Sequence, residues 1–350
     1  MCIFRVHDTR QMAGRELDVD PAVRLQLLDV LAGFLRTQAL HTVAVLGVAD
    51  IVGDEPVRVE ELAMLVGADP SALHRVLRVL ASSGIFSEAA PRAFVSTALS
   101  DGLRTDAPLS VRHMAMFQGS DTYLAAGEML RAVQTGEPTA ETVFGQPFFE
   151  HLAGDPQRNA VFNEAMGGGA AARAAAALEF DWSDFSVVAD IGGGNGSLLT
   201  GVLTAHTQLR GIVFDQPHVV AQAQPIIEAA GLGERCATAS GDFFTDALPV
   251  ADVYVLSQIL HDWDDEQAVA ILRNCRRSIM QDGRLLLLEQ VMPDGDTPSY
   301  AKLLDLIMLV LLGGKERTQS EWRDLLATGG FELLDITPRP ATNLIEAAPA

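Results

Sequence analysis

The run Val188-Ala189-Asp190-Ile191-Gly192-Gly193-Gly194-Asn195-Gly196-Ser197 decides how this chain folds. Apolar residues lead into an acid, then into glycines, then into Leu198-Leu199. That is the pattern of a buried parallel strand that ends in a tight turn and starts a helix. Glycine takes backbone angles closed to other residues and lets a ligand approach with no Cβ in the way. Such a turn receives the polar part of a nucleotide-like cofactor. Dinucleotide folds use G-x-G-x-x-G, and here Gly192 and Gly194 fit while Ser197 stands in third place. The better fit is D-x-G-x-G-x-G through Asp190, Gly192, Gly194 and Gly196. Four glycines in five positions weigh against a merely structural turn.

Downstream, apolar strand-like runs alternate with helical ones. Strands are predicted at 187–191, 211–214, 237–240, 253–256, 285–288 and 331–336, and helices near 197–206, 219–230, 266–279 and 322–328. Alternation of this kind predicts a mainly parallel sheet covered on both faces. Ligands of such sheets bind beyond the carboxyl ends of the strands, and acids fall there. Asp215 follows the second strand and can accept both ribose hydroxyls. Asp242, in Gly241-Asp242-Phe243-Phe244, can accept from an adenine amino group while Phe243 packs on the ring. Ser257-Gln258-Ile259-Leu260-His261-Asp262-Trp263 follows the fourth strand, Glu289 the fifth, and Glu316 stands in Gly313-Gly314-Lys315-Glu316-Arg317-Thr318. The plain readings are that Asp264 and Asp265 cap the next helix and that Glu316 pairs with its basic neighbours. One histidine among aspartates is a weak ligand set, so no metal site is expected.

Upstream, 21–106 reads as helical. Leu25, Leu27, Leu28, Leu31, Phe34 and Leu35 give a helix with a wide apolar face, and 43–51 gives another. A short helix from Val59 stops at Gly67, a second starts at Asp69-Pro70-Ser71 and ends at Gly84, and a hairpin turns around Pro91. Helix, turn, helix, hairpin is a winged-helix pattern. DNA reading is disfavoured, because the recognition helix offers only His74, Arg75 and Arg78 in an acidic chain, so packing and dimerisation is the preferred use. Between the two regions, 109–178 is helical and rich in Met, Phe and Ala, suited to a core and to the walls of a flat apolar ligand.

Together, Asp190-x-Gly-Gly-Gly-x-Gly, Phe214-Asp215-x-Pro217-His218-Val219, Gly241-Asp242-Phe243-Phe244, Leu260-His261-Asp262-Trp263 and the Gly313–Thr318 run resemble the S-adenosylmethionine (SAM)-dependent O-methyltransferases of the plant caffeate type. Bacterial members act in aromatic polyketide and antibiotic pathways. The resemblance keeps order and spacing from about residue 25 to 335. It implies an α/β fold: a C-terminal Rossmann-like, seven-stranded SAM-binding domain (181–350) and an α-helical N-terminal winged-helix dimerisation domain (19–108). A helical linker (109–180) would line the substrate pocket, a disordered leader (1–18) would precede all three, and two chains would intertwine as a homodimer.

Residue by residue, the resemblance implies that Asp190, Gly192, Gly194, Asp215, Gly241, Asp242, Phe243 and Ser257 bind the cofactor. It makes His261 the base, Glu289 and Glu316 the acids that orient it, and Arg158, Phe162, Met166, Asp262, Ile307 and Met308 substrate contacts. Two departures stand out. Gly167-Gly168-Gly169 replaces a Ser-Asp-His-Ser-like stretch after Met166, so any hydroxyl contact from there to the cofactor is lost or replaced. Arg158 stands where the plant enzymes carry a ring, which suggests an acceptor with a carboxyl or a larger polar group.

A phenol, with a pKa near 10, is mostly protonated at neutral pH. A histidine base held by two acids would take its proton without a metal. The expected reaction is methyl transfer to a hydroxyl of a small aromatic acceptor, free or carrier-protein-tethered. The alternatives are a SAM-binding relative performing decarboxylation or hydroxylation, which the complete His261, Glu289 and Glu316 set opposes, and a non-enzymatic winged-helix regulator, which the charge opposes. With 25 basic and 46 acidic residues the net charge is −21, against nucleic-acid binding by the phosphate route. Cys2, Cys236 and Cys275 are too few for a disulfide framework, no run is long enough for a membrane span, and a reducing, cytoplasmic setting is expected.

Overall fold

The computed structural model describes residues 20–339 and 342–350; the leader expected over 1–18 lies outside them. The N-terminal segment begins with helices Pro21–Leu31, Gly33–Leu46 and Val48–Ile51. The single helix expected through Leu25–Leu35 is thus divided at Ala32, and Gly47, at φ 68°, divides the 43–51 segment. Strand β1 (Val57–Arg58) leads into helix Val59–Val66, which ends on left-handed Gly67. Asp69 then caps helix Pro70–Ser82 by accepting from the Ala72 N–H at 2.8 Å. Strands β2 (Ser87–Ala90) and β3 (Ala93–Val95) complete a three-stranded sheet in the order β1-β3-β2. Leu62, Leu73, Leu77, Leu80, Phe86 and Phe94 form its core. By contrast, no residue of Pro21–Leu31 is buried: Leu25 is 66%, Leu27 59% and Val30 77% exposed.

The middle of the chain is helical. Arg112–Phe117 runs into a π-helical turn, Gln118–Thr122, and short helices lead on to Phe148–Ala153, Pro156–Gly167 and Ala170–Ala177. Phe117, Phe148 and Phe162 meet with ring centroids 5.3 to 5.9 Å apart, a spacing favourable for aromatic pairs.

The C-terminal part supplies β4 (Val187–Ile191), β5 (Arg210–Asp215), β6 (Cys236–Ser240), β7 (Val253–Ser257), β8 (Arg284–Glu289), β9 (Val291–Met292), β10 (Arg317–Thr318), β11 (Phe331–Pro338) and β12 (Asn343–Pro349). Seven of these form one sheet, ordered β11-β12-β8-β7-β4-β5-β6. Pairing is parallel from β8 to β6, whereas β12 runs antiparallel between β8 and β11, so the sheet is mixed. Residues of helices Ala170–Ala177, Ser197–Ala205 and Ala223–Ala229 build the core on one face, and residues of Asp265–Ser278 and Gln319–Gly329 on the other. The single helix expected at 219–230 is two, Pro217–Val220 and Ala223–Ala229. Among the described residues no helix is long and apolar enough to cross a membrane.

Candidate active site

The site lies beyond the carboxyl ends of β4 to β8. Gly192, Gly194 and Gly196 all hold positive φ, which explains the glycines after β4. Gly192 has a second reason: a Cβ there would run into Ile259 and lie 3.7 Å from Phe243. Asp215 closes the turn. Its Oδ2 accepts from the Gly194 N–H at 2.9 Å and its Oδ1 from the Gln216 N–H at 2.7 Å. Burial raises its pKa, and those two hydrogen bonds oppose the rise.

Asp190 is buried with Oδ2 unpartnered; burial and then the Asp215 charge push it up to about 7, against the pull of Arg173. The Ser257 Oγ is likewise buried without a partner among the described residues. Asp242 is exposed, its Oδ1 accepting from the Phe244 N–H, and Gly241 lets the loop press against the Phe214 ring. Phe243 stands edge-on to Trp263 at 6.0 Å. Asn274, missed by the sequence reading, pins this loop through the carbonyls of Phe243 and Asp246 at 2.8 and 2.9 Å. The carboxylate of Asp215, the ring of Phe243, the glycine turn and the two orphaned buried polar atoms are of a chemistry that fits the SAM expected from the sequence.

His261 lies on a 3-10 turn after β7, and the preceding Gln258 takes φ 55°, a rare conformation for a side-chain-bearing residue. Its Nδ1 is 2.7 Å from Glu316 Oε1 and 3.9 Å from Glu289 Oε2, and its Nε2 is 3.3 Å from Asp262 Oδ1. The two glutamates divide the work. Glu316 meets the imidazole, whereas Glu289 Oε1 accepts from the Ile259 and Leu260 N–H groups at 3.0 and 2.9 Å and so holds the loop. Burial lowers the imidazole pKa, but the charges of Glu289 and Asp262 and the contact with Glu316 outweigh it and push His261 up to about 10. Burial raises Glu289 to about 7 and Asp262 to about 6, with the imidazole pulling each back.

Glu316 is not the solvated ion pair its neighbours suggest. Lys315 and Arg317 both turn to Asp265, at 2.7 and 2.9 Å, and Glu316 turns inward. Parallel pairing of β10 with β9 brings its segment to the end of β8. Gly314 permits the approach, because a Cβ there would overlap the His261 carbonyl. Asp305 accepts from the Glu316 N–H at 2.8 Å. Fully buried Arg317 donates to the carbonyls of Leu260 and Trp263 at 2.9 and 3.0 Å, stapling the histidine loop. Sequence reading placed Arg317 in the motif without a role.

Phe162, Met166 and Ile307 share one apolar cluster with Phe117 and Phe148. Met308 is buried on the same helix as Ile307 but lies outside that cluster. Arg158 is not a free cation for an acceptor carboxyl: its Nη1 pairs with the buried Asp121, and its Nε is 3.5 Å from Asp155. The sequence reading had no sight of Asp121, which the π-helical turn directs inward. Cys236 and Cys275 are free and buried, and among the described residues no group of three His, Cys, Asp or Glu is arranged to hold a metal ion.

Comparison with known proteins bears on both halves of the chain. Residues 127–332 match the O-methyltransferase domain family and 28–106 the O-methyltransferase dimerisation domain family. The chain is 45% identical to the phenazine O-methyltransferase of Lysobacter antibioticus, over 92% of this chain and 95% of that protein. It is 38% identical to the 8-amino-8-demethylriboflavin N,N-dimethyltransferase of Streptomyces davaonensis, over 85% of this chain and 87% of that one. A methyltransferase of calicheamicin biosynthesis, solved with S-adenosylhomocysteine (SAH), superimposes with a TM-score of 0.84 at 32% identity, covering 95% of this chain and 100% of the other.

Proposed function

This chain belongs to the O-methyltransferase family and is a SAM-dependent methyltransferase, and on that premise we propose that it methylates a hydroxyl of a small, flat aromatic secondary metabolite with His261 as general base. The observation that carries the proposal is the buried 2.7 Å contact between His261 Nδ1 and Glu316, set beside the glycine turn. When bound, the cofactor supplies a methyl group activated by its sulfonium. Glu316 can only accept as a carboxylate, so Nδ1–H donates to it and Nε2 is left to take the acceptor proton. Asp262 lies 3.3 Å from Nε2 and would receive a hydrogen bond from the acceptor. Base assistance of this kind is typically worth roughly 10²- to 10⁴-fold, and alignment of the reacting atoms adds to it.

Phe162, Met166 and Ile307 form the apolar wall of the acceptor site, and adaptable Met and Phe side chains suit a flat ring system. The two relatives named above act on a phenazine and a flavin, both three-ring planar systems, which supports an acceptor of that shape. Two chains form a homodimer through the exposed face of Pro21–Leu31, within reach of the segment that matches the dimerisation family. The test is incubation with methyl-labelled SAM and matched hydroxylated and aminated polycyclic aromatics, read by mass spectrometry. A labelled hydroxyl product supports the proposal; label only on the amines overturns the hydroxyl assignment, and no label on any acceptor overturns the aromatic one.

A further inference from the structure

Asp121, His151 and Arg158 have no part in the chemistry described so far, yet they form a polar layer beside the apolar acceptor wall. Each stands one turn from a phenylalanine of the aromatic cluster: Asp121 four residues after Phe117, His151 three after Phe148, and Arg158 four before Phe162. The three rings meet, and so do the three polar side chains. Asp121 is 1% exposed. Its Oδ1 pairs with Arg158 Nη1 and lies 3.5 Å from His151 Nε2, longer than an ordinary hydrogen bond. Asp121 Oδ2 and His151 Nε2 are both buried with no hydrogen-bond partner among the described residues.

The backbone is bent to bring Asp121 there. It sits in the π-helical turn Gln118–Thr122, a rare conformation that recurs at functional sites. Helix Gly33–Leu46 holds the turn: Gln38 Nε2 donates to the Gly119 carbonyl at 2.7 Å, and a Cβ on Gly119 would overlap His41. The His151 ring is fixed by Phe144, stacked on it with centroids 4.1 Å apart. A buried carboxylate oxygen without a partner is unfavourable, and a donor from a ligand would complete it. An anion would not, because the guanidinium of Arg158 is already met by Asp121 and Asp155.

We propose that Asp121 Oδ2 accepts a hydrogen bond from a second, neutral donor group of the acceptor, a hydroxyl or an amide N–H remote from the oxygen that is methylated, and that His151 Nε2 meets the same group. A hydroxyl or a carboxamide both donates and accepts, so it suits the carboxylate and either tautomer of the imidazole. Arg158 then holds Asp121 in place and does not receive a carboxyl group. This subsite rests on the acceptor assignment above and adds to it a polar substituent that an apolar wall alone does not select.

The experiment uses hydroxylated three-ring aromatics that differ in one substituent, a carboxamide, a methyl ester or a carboxylate, placed in turn at each position of the distal ring. Methylation of the hydroxyl is followed with saturating SAM. For the wild type, the best carboxamide should exceed its ester and its carboxylate in kcat/KM by about 10- to 100-fold, the scale of a hydrogen bond to a charged group. Asp121→Asn keeps the shape but frees Arg158 from its buried counter-ion, so the carboxylate should gain at least about 10-fold over the carboxamide, with SAH affinity within about twofold of wild type. If that variant does not fold, the wild-type series decides by itself. Equal rates for carboxamide and ester, a wild-type preference for the carboxylate, or an unchanged order in folded Asp121→Asn overturns the subsite while leaving the acceptor assignment intact. No methylation of any member overturns the acceptor assignment and the subsite with it.

Discussion

Glu316 Oε1 lies 2.7 Å from His261 Nδ1 across 55 residues of sequence, with both side chains buried. The contact fixes the imidazole by Nδ1 and leaves Nε2 next to Asp262, at 3.3 Å. It also ties together two loops 55 residues apart, so the imidazole is held by the chain itself.

His261→Gln is expected to lower kcat by about 10²-fold or more with SAH affinity within about twofold, because only the proton transfer is lost. Glu316→Gln keeps the shape but can donate to Nδ1 and reverse the tautomer, so kcat should fall there too. Single-turnover rates with saturating SAM provide the measurement. A His261→Gln protein with wild-type kcat would remove His261 from the chemistry.

The pH–rate profile should be displaced to alkaline pH. A base works when deprotonated, and the acids around His261 raise its pKa from 6.5 to about 10 in the ligand-free chain. Activity should therefore still climb above about pH 8, where a histidine of ordinary pKa would already have levelled off. The positive charge of the bound cofactor opposes the imidazolium, so the midpoint at saturating SAM should lie below that of the free enzyme. A profile flat from about pH 6 to 10, shared by the His261→Gln variant, contradicts the assignment.

Arg317→Met should lower kcat far more than it weakens SAH, since Arg317 holds the Leu260 and Trp263 carbonyls of the histidine loop. Loss of these buried bonds should destabilise the fold by about 3 kcal/mol, seen as a lower Tm in scanning calorimetry. Unchanged kcat together with a lowered Tm would make Arg317 purely structural.

Asp215→Ala should weaken SAH by about 1.5–3 kcal/mol, the range for hydrogen bonds to a charged group. Part of that loss comes through the Gly194 N–H, which Asp215 also holds. Titration calorimetry that finds wild-type affinity takes Asp215 out of the site.

Leu27→Asp combined with Leu31→Asp should convert a dimer into a monomer, because both side chains lie exposed on the first helix, at 59% and 68%. Light scattering should give twice the chain mass for the wild type at micromolar concentration and the single-chain mass for the variant. A monomeric wild type contradicts the homodimer.

Much of the sheet was legible. Runs such as Val253–Ser257 and Arg284–Glu289 are buried on both faces, so they read as continuous apolar stretches. Strand β12 was not, because Asn343–Pro349 mixes Glu346 and alanines and draws its place from pairing with β8 and β11. The helix breaks at Ala32 and Gly47 were hidden for a related reason: the apolar pattern continues across both. In the candidate site, the residues at strand ends were visible, since an acid or histidine after an apolar run is conspicuous. Arg317, Asp305, Asn274 and Asp121 were not, because each acts through a backbone group or a partner far away in sequence.

The sequence by itself determined the cofactor turn, the sheet that carries it and the identity of the histidine and the acids, because strand periodicity and glycine spacing are local properties of the chain. Only the tertiary structure decided what those groups touch. It gave Glu316 to His261 and Glu289 to the loop, and met Arg158 with Asp121. Charge pairing in a low-dielectric interior is set by distances of a few ångströms between segments tens of residues apart, and sequence spacing does not encode those distances.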